Sequence, residues 1–241
     1  MKNCYLFAAS MLLLCACGKD DDTSELNLPG KYRSDNHIMA AAINMYTSSG
    51  QLNNTSLIDK FIRRHRMSDS FSRTDVAIPN GNFLTLSISP DNRVTFVSTT
   101  PDNSRSPDSL KTEIVSRSQD YLALANLDSV SVVSSESSNR CEQLAKNINQ
   151  VQPNKRCRTV SVVSGSFSQL CWYRPTSALL IKDGTLRLPL FSWIISSRQN
   201  GFFCGSGYGN TRNTLNPAVL NQLQVGDTIV VQVRQVPLIK Q

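Results

Sequence analysis

Four cysteines in the second half of the chain are the residues whose type and spacing could most readily do chemistry. They are Cys141, Cys157, Cys171 and Cys204. The amino terminus, described below, predicts export to an oxidising compartment, and an even number of cysteines in an exported chain predicts two disulfides. The pairing stays open at this stage. Their spacing has no C-x-x-C pair and no nearby histidine, so we expect no metal site.

Enzyme chemistry finds little support in the sequence. There are two histidines, His37 and His65, and no G-x-S-x-G, H-E-x-x-H or P-loop pattern. Because nucleophilic catalysis commonly uses a histidine base, we predict a non-catalytic protein without a cofactor. An alternative is a hydrolase of the envelope or of polysaccharide that uses two carboxylates, although no spacing nominates a pair.

Aromatic residues are concentrated in the same half of the chain and give candidate ligand contacts. The four candidates are Trp172, Tyr173, Trp193 and Tyr208. Flat rings on one sheet face could bind sugars, whereas rings on a strand that is apolar on both faces would belong to the core. The second interpretation is favoured around Trp193, where Leu188 and Leu190 alternate with the aromatic residues. The glycine-rich stretch 204–210 predicts a loop.

The amino terminus has the pattern of an export signal. Lys2 precedes an apolar run over 5–14, and small residues stand before Cys17. The run is shorter than the roughly 20 apolar residues that a membrane-spanning helix needs. Residues 1–16 are therefore predicted to be removed as a signal peptide.

The residues Leu14-Cys15-Ala16-Cys17 resemble the lipobox of bacterial lipoproteins. The resemblance implies that Cys17 becomes the first mature residue and carries fatty acyl chains such as palmitate. Residues 17–27 then form a lipidated cysteine and a tether, since Gly18–Glu25 has four acids and no apolar residue. This acidic stretch is similar to the export signal of Gram-negative surface lipoproteins. It implies an outer-membrane, lipid-anchored protein at the cell surface, with a periplasm-facing anchor as the alternative.

The charge of the remaining chain suggests its partners. The whole chain has a net charge of +7. Without Lys2, Lys19 and the four tether acids, 23 bases and 14 acids remain, a net charge of +9. A basic domain on an acidic tether favours an anionic glycan or lipid as a ligand. No nucleic-acid-binding motif is present, and nucleic acid is not expected as a partner.

Residues 28–241 are predicted to form a mainly β domain with one or two short helices. Alternating apolar residues predict β-hairpins over 83–98 and 178–195, the second with an Asp183-Gly184 turn. A further strand follows Gly226-Asp227. The polar stretch 99–109 is either a boundary between two subdomains or a long hairpin loop.

Two short helices are predicted, and two other segments have nearly the same sequence. Ser56 and Asp59 predict a capping box for a helix with Leu57 and Ile58 stacked on later apolar residues, and Asn139 predicts the start of a second helix. The heptapeptides 129–135 and 159–165 are nearly identical, which indicates two similar strands rather than a repeat.

The Leu28–Arg33 segment and the 87–96 hairpin resemble the lipocalin-like domains of bacterial lipoproteins. Tyr32 stands where those domains also carry tryptophan. The resemblance implies an antiparallel barrel, and a sandwich is the alternative for an all-β chain. We therefore expect a lipid-anchored protein whose β domain binds a glycan, a lipid or an envelope partner. A structural envelope component without a small ligand is the other possibility.

Overall fold

The computed structural model describes residues 27–79, 82–99, 109–134, 139–162, 166–197 and 203–241. The predicted signal peptide and nearly all of the tether lie outside these residues, as does most of the 99–109 stretch. The mainly β prediction is confirmed, and the architecture is the predicted antiparallel barrel. The strands, in chain order, are β1 Gly30–Ser34, β2 His37–Ile38, β3 Asn44–Thr47, β4 Gly50–Leu52, β5 Val76–Ala77, β6 Phe83–Ile88, β7 Arg93–Thr99, β8 Ser109–Arg117, β9 Tyr121–Asn126, β10 Val130–Ser134, β11 Arg156–Val162, β12 Ser166–Tyr173, β13 Thr176–Lys182, β14 Thr185–Ser196, β15 Phe203–Thr211 and β16 Thr228–Lys240.

Eight antiparallel strands close the barrel. Their order around it is β1-β6-β7-β8-β9-β13-β14-β16, and β16 pairs with both β14 and β1. Closure satisfies the edge hydrogen bonds that an open sheet would leave free. The strands on either side of the 99–109 stretch, β7 and β8, are neighbours in this sheet.

The barrel interior is apolar. Every barrel strand except β8 contributes buried apolar side chains to this interior, and β8 contributes the partly buried Leu110 and Ile114. The most completely buried members of this cluster are Leu86, Val94, Phe96, Leu122, Leu124, Leu179 and Leu186. Burial of such side chains stabilises the fold by about 1.5–3 kcal/mol each, relative to leaving them exposed.

Both predicted hairpins are confirmed. The Asp183-Gly184 turn joins β13 to β14, and both residues have positive φ (52° and 68°) as a tight hairpin turn requires. Asn92, at φ 63°, turns β6 into β7. The opening segment also has a close approach: Gly30 has φ 147°, and a Cβ there would lie 2.8 Å from Cε of Lys240.

The two longest strands extend beyond one end of the barrel, which we call the extended end. There β15 pairs with β14, and β3 and β4 continue the sheet beside β16. Helix α1 (Thr55–Arg64) packs with Ile194 and Val230 on one face of this extension. Helix α2 (Arg140–Asn147) and a 3₁₀ helix (Pro217–Gln222) pack with Phe191 and Ile229 on the other.

The capping-box prediction for α1 was wrong. Asn54 caps the helix, because its side chain accepts a hydrogen bond from the backbone N–H of Leu57 at 3.0 Å. Asp59 instead forms an ion pair with Arg73 at 2.6 Å. Leu57 is 44% exposed, so the buried face of the helix is narrower than predicted. At α2 the predicted cap is confirmed: Asn139 accepts from the N–H of Cys141.

A separate three-stranded sheet, in the order β10-β12-β11, lies between β9 and β13 in the sequence. The two similar heptapeptides supply its outer strands, one on each side of β12. The glycine-rich stretch predicted as a loop is in fact part of β15. Glycine is unfavourable in strands, but here the backbone pairs along the edge of β14.

Candidate ligand-binding crevice

A crevice of about 530 Å³ lies between the barrel wall and the three-stranded sheet. Residues of β8, β9 and β13 contribute to one side, and residues of β11 and β12 to the other. The aromatic and charged side chains in its lining are Trp172, Tyr173, Arg156 and Arg174. Small-ligand sites have volumes of about 300–1,000 Å³, so the crevice has a suitable size.

The register of the sheet places an aromatic ring beside two cations. Trp172 of β12 lies directly opposite Arg156 of β11 and Ser131 of β10. Opposed residues in antiparallel strands project from the same face. Arg158, two residues along β11, holds its guanidinium carbon 5.1 Å from the centroid of the Trp172 ring. The indole is 37% exposed and therefore accessible to a ligand.

A second aromatic–cation pair lies next to the first. The ammonium nitrogen of Lys155 is 5.1 Å from the centroid of the Tyr173 ring. In the described part of the chain, no carboxylate lies within ion-pair distance of Lys155, Arg156 or Arg158. Arg156 lines the crevice, and Lys155 and Arg158 lie beside the rings of two of its lining residues, so all three positive charges are in or next to the crevice.

Arg174 has a structural role in the crevice wall. Its Nη1 donates to Oε1 of Glu113 on β8 at 2.7 Å, and its Nε donates to the carbonyl oxygen of Asn126 on β9. Thr176, at the start of β13, donates from Oγ1 to the carbonyl of Val151 at 3.1 Å. Arg174 therefore joins β8 and β9 to the end of β12 and fixes the three-stranded sheet against the barrel.

One disulfide, whose pairing the sequence left open, lies on the opposite face of the three-stranded sheet from Trp172 and Arg156. Cys157 and Cys171 are bonded to each other and lie opposite one another on β11 and β12. Each is a chain neighbour of a crevice residue, so the bond fixes the spacing of Arg156 and Trp172. Cys141 is also disulfide-bonded. The side chain of Cys204, the fourth of these cysteines, lies outside the described part of the structure.

The structure does not bring the four candidate aromatics together. Trp172 and Tyr173 line the crevice, but Trp193 on β14 is half-buried against the α2 cluster. Its indole nitrogen is buried and has no hydrogen-bond partner among the described residues. Tyr208 lies in β15, and its side chain is outside the described part of the structure.

The cations in and next to the crevice were not predicted from the sequence. Lys155, Arg156 and Arg158 surround Cys157, which was noticed only as a cysteine. The available signal was the alternation of basic residues along a strand that also carries a disulfide. Their aromatic partners lie a strand away, so sequence alone could not show the contacts.

The described residues offer little for other classes of site. Among them, no group of three or more His, Cys, Asp or Glu could hold a metal ion. None of the described residues that line the crevice is an aspartate or glutamate. No described helix has the length and apolar character needed to cross a bilayer. Comparison of the chain with protein-family models, curated proteins and solved structures gave no match.

Proposed function

We propose that this chain is a surface-displayed outer-membrane lipoprotein, anchored through Cys17, whose non-catalytic β domain binds an anionic glycan. The observation that carries the proposal is the exposed ring of Trp172 in the crevice beside the guanidinium of Arg156, which has no carboxylate of the described residues within ion-pair distance. An indole face can contact the C–H groups of a sugar ring, and a guanidinium can bind its carboxylate, sulfate or phosphate group.

Charge and rigidity support a glycan of this kind. Lys155 and Arg158 add positive charge next to the same rings, which would attract an acidic polymer before contact. The Cys157–Cys171 bond and the Arg174–Glu113 pair hold the binding face in place. A preorganised face loses less conformational entropy when the ligand binds.

The binding proposal is tested with an oligogalacturonate and a neutral maltooligosaccharide of equal length. We expect the acidic sugar to bind more tightly, and Trp172→Ala and Arg156→Gln each to lower its affinity at least tenfold. Trp193→Phe, outside the crevice, is the matched control and should bind as the parent does. Equal affinity of all variants would contradict the proposal.

The anchor is tested separately. Intact-mass analysis of the mature protein should show an acylated cysteine at the first residue. Cys17→Ala should release the protein from the membrane fraction, because the acyl chains supply the membrane affinity. Protease added to intact cells should cleave a surface-displayed domain. An unmodified amino terminus, or a variant that remains in the membrane fraction, would contradict the anchor.

A further inference from the structure

Two arginines face the interior of the barrel at its extended end. On β16, Val236 and Leu238 belong to the barrel core, and alternate residues of a strand share a face. The pairing of β14 with β16 runs without a shift from Leu186–Leu238 to Ser196–Thr228. Arg234 therefore faces the same side as Val236.

The second arginine, Arg212, directly follows β15. Its guanidinium carbon is 4.7 Å from the centroid of the Phe96 ring, which is 1% exposed within the barrel core. Its backbone carbonyl accepts a hydrogen bond from the N–H of Ala178 on β13 at 2.6 Å. The Arg212 side chain therefore enters the barrel interior next to β13.

The two arginines stand on either side of Leu190 on β14. Arg234 is opposite Leu190 in the β14–β16 pairing. Thr211 is opposite Phe191 in the β14–β15 pairing, so Arg212 follows on the other side of Leu190. Two strand spacings separate their backbones by roughly 10 Å. Long side chains on one face can converge over that distance on a single small group.

Three of the seven buried side-chain polar atoms that lack a partner among the described residues are in this part of the barrel. Nη1 of Arg212, Nε of Arg234 and Oγ of Ser177 are buried and have no hydrogen-bond partner among the described residues. Ser177 is on β13, two residues before Leu179 of the barrel core, and is 8% exposed. It therefore also faces the interior.

The partial burial of these two positive charges is energetically unfavourable without a bound anion. Burial lowers the pKa of both Arg212 and Arg234, and no described carboxylate lies within ion-pair distance of either. Burying a charge without a counter-charge costs free energy, and buried polar groups normally have partners. An oxyanion at this place would supply the missing acceptor atoms.

We propose that Arg212, Arg234 and Ser177 form an internal binding site for an oxyanion, either a carboxylate or a phosphate group. Guanidinium groups match both groups geometrically, and the serine hydroxyl adds a third donor. Phe96 and Leu190 give the site apolar walls that would contact the body of an amphiphilic ligand. This site is distinct from the crevice, which is on the outside of the barrel.

The test uses the full chain and three probes: inorganic phosphate, hexanoate and the neutral hexanol. Binding is measured by calorimetry and by the shift in Tm. We expect at least one of the two anions to bind and raise the Tm, with hexanol binding at least tenfold more weakly than hexanoate. Binding of phosphate alone would indicate a phosphate group, and binding of hexanoate alone a carboxylate on an acyl chain. If neither anion binds, the proposal is overturned.

Matched variants locate the site. Arg212→Gln and Arg234→Gln should each lower the affinity for the bound anion at least tenfold. Arg64→Gln, on the exposed last turn of α1, removes the same charge and should not change it. Arg156→Gln in the crevice should also leave it unchanged, so the outcomes for the two sites can be told apart. Equal binding by Arg212→Gln, Arg234→Gln and the parent would overturn the proposal.

A second measurement guards against misfolding of the variants. If the arginines serve a ligand, Arg212→Met and Arg234→Met should be at least as stable as the parent in ligand-free buffer, because each removes a partly buried charge that has no counter-charge among the described residues. If instead they are structural, both variants should have a lower Tm without ligand. That result would also count against the proposal.

Discussion

Replacement of Gln232 by leucine tests how β16 holds the segments at the extended end of the barrel. Gln232 is fully buried, and its Oε1 accepts a hydrogen bond from the N–H of Ser72 at 2.9 Å. Its Nε2 donates to the carbonyl of Ala41 at 2.8 Å and to the carbonyl of Ser72. Leucine has a similar size but leaves these three backbone groups without their partner.

The magnitude follows from the burial of those groups. A buried polar group left unpaired costs about 1–3 kcal/mol. Ala41 and Ser72 are only half-buried, so water can replace part of what is lost. We therefore expect the free energy of unfolding to fall by about 3 kcal/mol. For a chain of this length that corresponds to a decrease in Tm of about 6–12 °C.

Urea and thermal unfolding of the two proteins measure the effect. Gln143→Leu, on the exposed side of α2, is the matched control and should change stability by no more than about 0.5 kcal/mol. A loss below about 1 kcal/mol for Gln232→Leu would refute the reasoning, since the three hydrogen bonds would then be exchangeable for water at no cost.

Three other predictions concern the disulfide, an ion pair and a turn. The double substitution Cys157→Ser and Cys171→Ser should lower the free energy of unfolding by about 3 kcal/mol, because the disulfide closes a loop with a sequence separation of 14. Chemical unfolding under non-reducing conditions measures this loss, and an unchanged unfolding midpoint would contradict the prediction. Asp227→Asn should lower the free energy of unfolding by about 3 kcal/mol in the same assay, because the carboxylate is 3% exposed and forms an ion pair with Arg140, the first residue of α2. A loss near zero would mean that water solvates the ion pair. The hydroxyl of Ser89 donates to Asp91 and lowers the pKa of that carboxyl. The stabilisation is therefore present above the ordinary aspartate pKa and is lost as the pH falls through the lowered one; Ser89→Ala should raise the pKa of Asp91 in an NMR titration, and an unchanged titration curve would rule out this cause.

The two hairpins, and the apolar character of both faces of β14, were predictable from local sequence patterns. Alternation and turn residues defined β6–β7 and β13–β14, because both signals lie within a few neighbouring residues. Leu188, Leu190, Phe191 and Trp193 predicted a strand that is apolar on both faces. The structure gives the reason: Leu188 and Leu190 face the barrel interior, and Phe191 and Trp193 belong to the cluster around α2.

Closure of the barrel and assembly of the crevice could not be predicted in this way. The pairing of Leu186 with Leu238 joins residues that are far apart in the sequence, and no local pattern specifies it. The crevice likewise combines Ala125 of the barrel with Arg156 and Trp172 of the separate sheet. The start of α1 was misplaced because Asn54, Thr55 and Ser56 are all good capping residues, and only the contact made by Asn54 distinguishes them.

The positive charges of the two proposed sites differ in their exposure to solvent, so salt should affect binding at the two sites differently. Lys155, Arg156 and Arg158 are exposed to solvent, so their attraction for an acidic glycan is screened by salt. Raising the ionic strength from about 0.1 M to 1 M shortens the screening length from about 10 Å to about 3 Å and should weaken binding in the crevice. Arg212 and Arg234 have guanidinium atoms that water does not reach, and an oxyanion there would be screened much less. A basic chain can thus use exposed charge to attract a polymer and buried charge to hold a small anionic group, and the salt dependence of each affinity would show which kind of charge is responsible.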